Sequence, residues 1–67
     1  MSEKPEEELK ELIYELVKKA CTTNLPRLCS FAETEEGKQT ATQMIFDYCI
    51  ENSVSVQTAM AHIDSEL

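Results

Sequence analysis

Four side chains in this chain of 67 residues have the chemistry of metal ligands or of a thiol–imidazole pair: Cys21, Cys29, Cys49 and His62. Zinc would take thiolates and an imidazole in a tetrahedron, and structural zinc sites usually bring one ligand pair within about two to four residues of each other. The intervals here are eight, twenty and thirteen residues. The four remain candidates for a metal site or a thiol site, with packing as the simpler reading, because free cysteine behaves as a small buried hydrophobe. Cys21 and Cys49 fall on apolar helical stripes, and His62 falls off the stripe of its helix. No cysteine sits at a helix start or among bases, where its thiolate would be favoured. With one glycine in the chain there is no Gly-rich loop for phosphate. The expectation is a protein that is not an enzyme and carries no cofactor.

Charge narrows the partners. Thirteen acids against six bases give a formal charge of −7. Residues 1–36 carry nine acids and five bases, and residues 37–67 carry four and one. The excess is therefore spread along the chain, and it opposes approach to phosphate backbones and anionic membranes. Residues 40–67 read as two helices joined by a tight turn, which brings helix-turn-helix DNA binding to mind. The second helix would offer Gln57, Thr58, Ala61, His62 and Ser65 to a groove, with no Lys or Arg. Phosphate contacts supply much of the affinity of such proteins, so no nucleic-acid partner is expected. The opposite role fits the charge better: an acidic antagonist that occupies the basic surface of a nucleic-acid-binding protein. No apolar run approaches the length of a membrane span. The opening MSEKPEEE lacks the basic and apolar segments of a secretory leader. Three cysteines without such a leader read as reduced thiols in a cytoplasmic protein.

The elements that must position these residues are helical. Pro5 suits a first helical turn, Glu6, Glu7 and Glu8 favour the positive end of the helix dipole, and Lys18 and Lys19 favour the negative end. Leu9, Leu12, Ile13, Leu16, Val17, Ala20 and Cys21 recur at helical spacing, which predicts a helix over about residues 5–21 with residues 1–4 frayed. Thr22, Thr23 and Asn24 compete for backbone hydrogen bonds and end it. Pro26 opens a short helical lid, about residues 26–32, with Leu25, Leu28, Cys29 and Phe31 as its apolar side chains. Thr34 caps a third helix, about residues 35–52, whose stripe is Ala41, Met44, Ile45, Tyr48 and Cys49. Gly37 either marks its true start or admits a neighbouring backbone. Asn52 is the expected left-handed residue at its end. Ser55 caps the last helix, about residues 56–66, with Val56, Ala59, Met60, Ile63 and Leu67 on one face, and Val54 packs against Ala59 as a staple.

Together these describe one all-α domain over residues 1–67, a small helical bundle of three main helices and a lid. A chain this short buries only about 60% of its unfolded surface and depends on a disulfide, a metal or a partner for further stability. Phe46 and Ile50 widen the apolar arc of the third helix beyond one face, and Tyr14 lies off the stripe of the first. With Phe31 these form the expected interaction surface. The functional expectation is a small acidic interaction or regulatory module whose partner is another protein or a second copy in a homodimer.

Overall fold

A computed structural model describes residues 5–67, so the expected fraying of residues 1–4 falls outside it. Four α-helices account for the described chain, with no strand among the described residues. α1 runs Pro5–Lys18, α2 Pro26–Phe31, α3 Glu35–Asn52 and α4 Val56–Glu66. The all-α expectation matches, and the limits of α3 and α4 coincide with those expected. The reason is local capping. Thr34 Oγ1 accepts from the Gly37 N–H at 3.0 Å, and Ser55 Oγ accepts from the Thr58 N–H at 3.2 Å. Each satisfies an amide that the first helical turn leaves without a partner.

α1 ends earlier than its apolar spacing predicts. The helix stops at Lys18, and Ala20–Thr22 form a tighter 3-10 turn. The threonines account for this: the Thr22 hydroxyl donates to the Lys19 carbonyl at 2.8 Å, and the Thr23 hydroxyl reaches the Lys19 and Ala20 carbonyls at 3.3 and 3.2 Å. Asn24 then takes a left-handed conformation, φ 63°, which Asn tolerates better than most residues. The chain reverses there into α2. At the end of α3 the left-handed residue is Ser53, φ 53°, one position beyond the expected Asn52. The Asn52 side chain donates instead to the Tyr48 carbonyl at 3.0 Å.

α3 is the central element. α1 packs along one side of it and α4 along the other, while α2 bridges the start of α3 and the end of α4. The buried core comprises Ile13, Val17 and Ala20 from the α1 arm, Leu28 and Ala32 from the α2 arm, Ala41, Ile45, Phe46 and Cys49 from α3, and Ala59, Met60 and Ile63 from α4. Thr42 is the one buried polar side chain among the described residues, and its hydroxyl donates to the Lys38 carbonyl at 2.8 Å. Gly37 serves close approach, the second of its two expected uses. A Cβ there would overlap the Phe31 carbonyl oxygen and lie 3.2 Å from its carbon.

α2 is only six residues long and cannot persist by its own propensity. Leu25, at its N-cap, supplies no side-chain cap. The cap comes from α4: Asp64 Oδ1 accepts from the Leu28 N–H at 2.8 Å, and Arg27 Nη1 donates to the Ser65 carbonyl at 3.2 Å. Leu28 is fully buried. A disulfide between Cys21 and Cys29 adds a covalent tie. Closing so short a loop in the unfolded chain contributes about 2–3 kcal/mol in the chain-entropy account. The reading of all three cysteines as reduced thiols is thereby corrected. Cys21 does not lie on an apolar helical stripe, because α1 has ended and the 3-10 turn points it outward.

Two substitutions test this construction. Gly37→Ala gains about 1 kcal/mol of helix propensity, yet the overlap with Phe31 outweighs it; thermal unfolding by circular dichroism is expected to show a lower melting temperature, and a higher one contradicts the close approach. Asp64→Ala removes the α2 cap and is expected to cost about 1–2 kcal/mol, a fall of roughly 4–16 °C in a domain of this size, with Asp64→Asn losing less because it keeps an acceptor.

Candidate interaction groove

The candidates singled out in the sequence do not converge. Cys21 and Cys29 are joined to each other, with Cα atoms 4.9 Å apart. Cys49 is a buried free thiol in the α3 core. His62 is half-buried and stacks on Tyr48, ring centroids 4.2 Å apart and planes within 9°. Its Nε2 lies 4.0 Å from a Glu66 carboxylate oxygen, one turn on along α4. Among the described residues, no three His, Cys, Asp or Glu side chains are placed to share a metal ion. The paired sulfurs are not thiolates, so the proposed thiol or metal set of Cys21, Cys29, Cys49 and His62 has no common centre.

The expected interaction surface also divides. Phe46 is 9% exposed rather than surplus. It lies in the seam between α1 and α3, with the Lys10 ammonium 5.0 Å from its ring centroid. The lysine stem shields the ring while its charge faces the π-cloud. Ile50, one turn further along α3, is 55% exposed. Phe31 is 37% exposed at the C-terminal end of α2, where its carbonyl abuts Gly37. From Gly37 to Ile50 is about 20 Å along the α3 axis, so Phe31 and Ile50 belong to opposite ends of the molecule.

Tyr14 has a structural partner. Its hydroxyl donates to Glu35 Oε2 in the first turn of α3, and the Lys18 ammonium sits 5.5 Å from its ring centroid. The hydrogen bond to Tyr14 holds the Glu35 carboxyl below its usual range, with help from Gln39 and the nearby charges of Lys38 and Lys18 against partial desolvation. The same bond, with desolvation and the negative charges of Glu35 and Glu15, pushes the Tyr14 phenol up.

A concave apolar surface occurs elsewhere. Leu16 of α1, Thr23 and Leu25 of the connection, and Gln57 and Met60 of α4 line a hollow of about 290 Å³. Leu16 and Leu25 are half-buried and Met60 is nearly covered. Leu12 stands one turn before Leu16, on the same side of α1, and is 52% exposed. The half-buried Leu9 precedes it by three residues. Leu9, Leu12 and Leu16 form an apolar row along α1 that leads to the hollow, and Leu12 itself lines a separate hollow of about 530 Å³ with Glu8, Glu11 and Glu15 of α1 and Gln39, Thr42 and Gln43 of α3. Three acids flank the exposed leucine: Glu8, Glu11 and Glu15, at positions −4, −1 and +3 relative to it. The lysines of this arm are Lys10, between Leu9 and Leu12, and Lys18 and Lys19, beyond Leu16. α4 contributes Asp64 and Glu66 and no Lys or Arg. The sequence placed all three leucines in the core; it missed this groove because the rotation of α1 against α3, which turns Leu12 outward, is set by tertiary packing.

The Tyr14–Glu35 bond makes stability depend on pH at both ends. Glu35, with its folded pKa below the unfolded value near 4.5, contributes stability above that value, lost as pH falls through the lowered pKa. Tyr14, with its folded pKa above the unfolded value near 10.0, contributes stability below it, lost as pH rises through the raised pKa. Glu35→Gln is expected to move the Tyr14 phenol titration downward in ultraviolet absorbance; an unmoved titration contradicts the bond.

Comparison of the chain with protein-family models, with curated proteins and with solved structures finds no match in any of the three.

Proposed function

We propose that the protein is a small acidic interaction module that takes an amphipathic, basic helix of a partner protein into the hollow between α1 and α4. The observation that carries this reading is the apolar hollow of Leu16, Leu25 and Met60, with the half-exposed Leu12 one turn before Leu16 on α1 and flanked by Glu8, Glu11 and Glu15. A helix laid in a groove presents apolar side chains at i, i+3, i+4 and i+7, and the row Leu9, Leu12, Leu16 has the matching spacing. The hollow is at the small end for an enclosed organic ligand, whose pockets run from about 300 Å³ upward, and suits one or two inserted side chains. The acids favour lysine or arginine at the flanks of the incoming helix and speed its approach. On this reading the protein acts by binding and not by catalysis, and regulation or antagonism of a basic protein follows from occupying that protein's helix.

Self-association is the second reading, favoured by Ile50, the most exposed of the large apolar side chains. It has less support than the sequence offered, since Phe46 is covered and the Cys21–Cys29 disulfide supplies the staple that a partner copy would otherwise provide. The cytoplasmic location inferred from reduced thiols loses that basis for the same reason. Among the described residues no helix is long and apolar enough to cross a membrane.

The two readings separate in one experiment. A synthetic helical peptide with leucine at i, i+3, i+4 and i+7 and lysine elsewhere is titrated into the labelled protein and followed by NMR. Shifts are expected at Leu12, Leu16, Leu25 and Met60, and Leu12→Ser is expected to weaken binding about tenfold, the effect of losing roughly 1.4 kcal/mol. Shifts spread over all acidic side chains, with binding unchanged by Leu12→Ser and abolished by salt, overturn the groove reading. Sedimentation equilibrium of the free protein completes the comparison: a dimer that Ile50→Ser dissociates favours self-association.

A further inference from the structure

Part of the wall of the hollow is built on a segment cross-linked by a disulfide. Thr23 and Leu25 lie inside the loop that Cys21 and Cys29 close. That loop contains the 3-10 turn, the left-handed Asn24, and the first half of α2. α2 is six residues long and has no cap of its own. Its remaining holds are the buried Leu28 and, just past its end, Ala32, the half-buried Leu25 and Cys29 against the core, the Phe31 backbone against Gly37, the Asp64 carboxylate on the Leu28 N–H, and Arg27 on the Ser65 carbonyl. α1, α3 and α4, by contrast, share the rest of the core, including Ile13, Val17, Ala41, Ile45, Ala59 and Ile63. The molecule therefore has a large unit without α2 and a small unit fastened to it. Cys21 is exposed and Cys29 half-buried, so the bond is open to an attacking thiolate from the Cys21 side. The third thiol, Cys49, is buried in the large unit and stands apart from the exchange.

We infer that the Cys21–Cys29 disulfide is a redox-operated latch on α2, whose reduction releases the 22–31 segment and dismantles one wall of the hollow while α1, α3 and α4 stay packed. The reductant is a dithiol. One of its thiolates attacks Cys21 Sγ, the Cys21–Cys29 bond breaks, and Cys29 leaves as a thiolate that takes up a proton. The second thiol of the reductant then attacks the mixed disulfide and frees Cys21, which is protonated in turn. The protein gains two electrons and two protons, and the reductant leaves as its cyclic disulfide. Stepwise loosening of this kind is expected where a small cooperative unit has few buried contacts of its own. The consequence for partner binding rests on the groove reading above; the latch itself does not.

The test is amide hydrogen exchange of the intact protein, oxidised and then reduced with dithiothreitol, with no partner present. In the oxidised protein the amides of Leu28, Cys29 and Ala32 are held by Asp64, Leu25 and Leu28. On reduction their protection is expected to fall about 50-fold, the loss of the loop-closure constraint, to near the level of an unstructured chain, while Ile45 and Cys49 in α3 remain well protected. Alkylation of the reduced, undenatured protein is expected to label two thiols and spare Cys49. A uniform loss of protection, with α3 reaching the unstructured level together with α2, overturns the latch, because the disulfide then holds the whole fold. Unchanged protection at Leu28, Cys29 and Ala32 overturns it as well, because the noncovalent holds then suffice. The double variant Cys21→Ser/Cys29→Ser repeats the measurement without reductant, and its failure to fold counts with the uniform result. A working latch in a protein that binds no Leu/Lys helix leaves the groove reading as the one that fails.

Discussion

Burial of α3 on two sides is the constraint from which the rest of this fold follows. Its apolar residues do not form one stripe. Ala41, Ile45 and Cys49 face the common core, and Thr42 and Phe46 turn toward the neighbouring side, all of them buried. A helix with apolar groups over so wide an arc needs partners on both flanks. α1 and α4 supply them, and each presents a single stripe. The packing is close enough for the ring of Phe46 to disappear beneath α1 and the Lys10 stem, and for Gly37 to sit against the Phe31 backbone. Burying an aromatic or large aliphatic side chain contributes about 1.5–3 kcal/mol, which is why Phe46 goes inside and Ile50, beyond the end of that cover, does not.

The periphery is held by a different kind of interaction. α2 has little core of its own and is fixed by groups distant in sequence: the Asp64 carboxylate, the Arg27 guanidinium and the Cys21–Cys29 bond. Such polar clasps contribute individually less than core burial, and they act on geometry more than on the total. They set where Leu25 and Thr23 stand, and so shape the hollow against Leu16 and Met60. The stability of a chain this small and the form of the hollow between α1 and α4 thus depend on the same short segment.

The groove and the acidic character have one physical meaning together. An exposed leucine on a soluble helix is ordinary by itself. Leu12 differs in standing one helical turn from the Leu16 that lines an apolar hollow and in lying among glutamates on a molecule of net charge −7. Apolar contact would hold a ligand there, and charge would select it. The Tyr14–Glu35 bond and the Tyr48–His62 stack serve instead to align α1 with α3 and α3 with α4.

What depends on neighbours in the chain was legible in the sequence. Thr34 and Ser55 cap amides three residues on, Pro26 opens a helix, and apolar residues at helical spacing identify α1, α3 and α4; each is decided within about one turn. The all-α class and the net charge follow from the same information. The remainder depends on distance in space. Asp64 meets Leu28 across 36 residues, and a disulfide requires two Cα atoms at a particular separation, which spacing in the sequence does not fix. Periodicity carried α1 through to Cys21 because it does not register the threonine hydroxyls that stop the helix at Lys18. It also cannot say how far a helix is rotated about its axis, and that rotation put Phe46 inside and left Leu12 exposed, while the 3-10 turn after α1 brought Cys21 to Cys29. The sequence by itself determined which segments are helices and what charge they carry; the tertiary structure decided which faces remained exposed, because only packing assigns each face to core or to water.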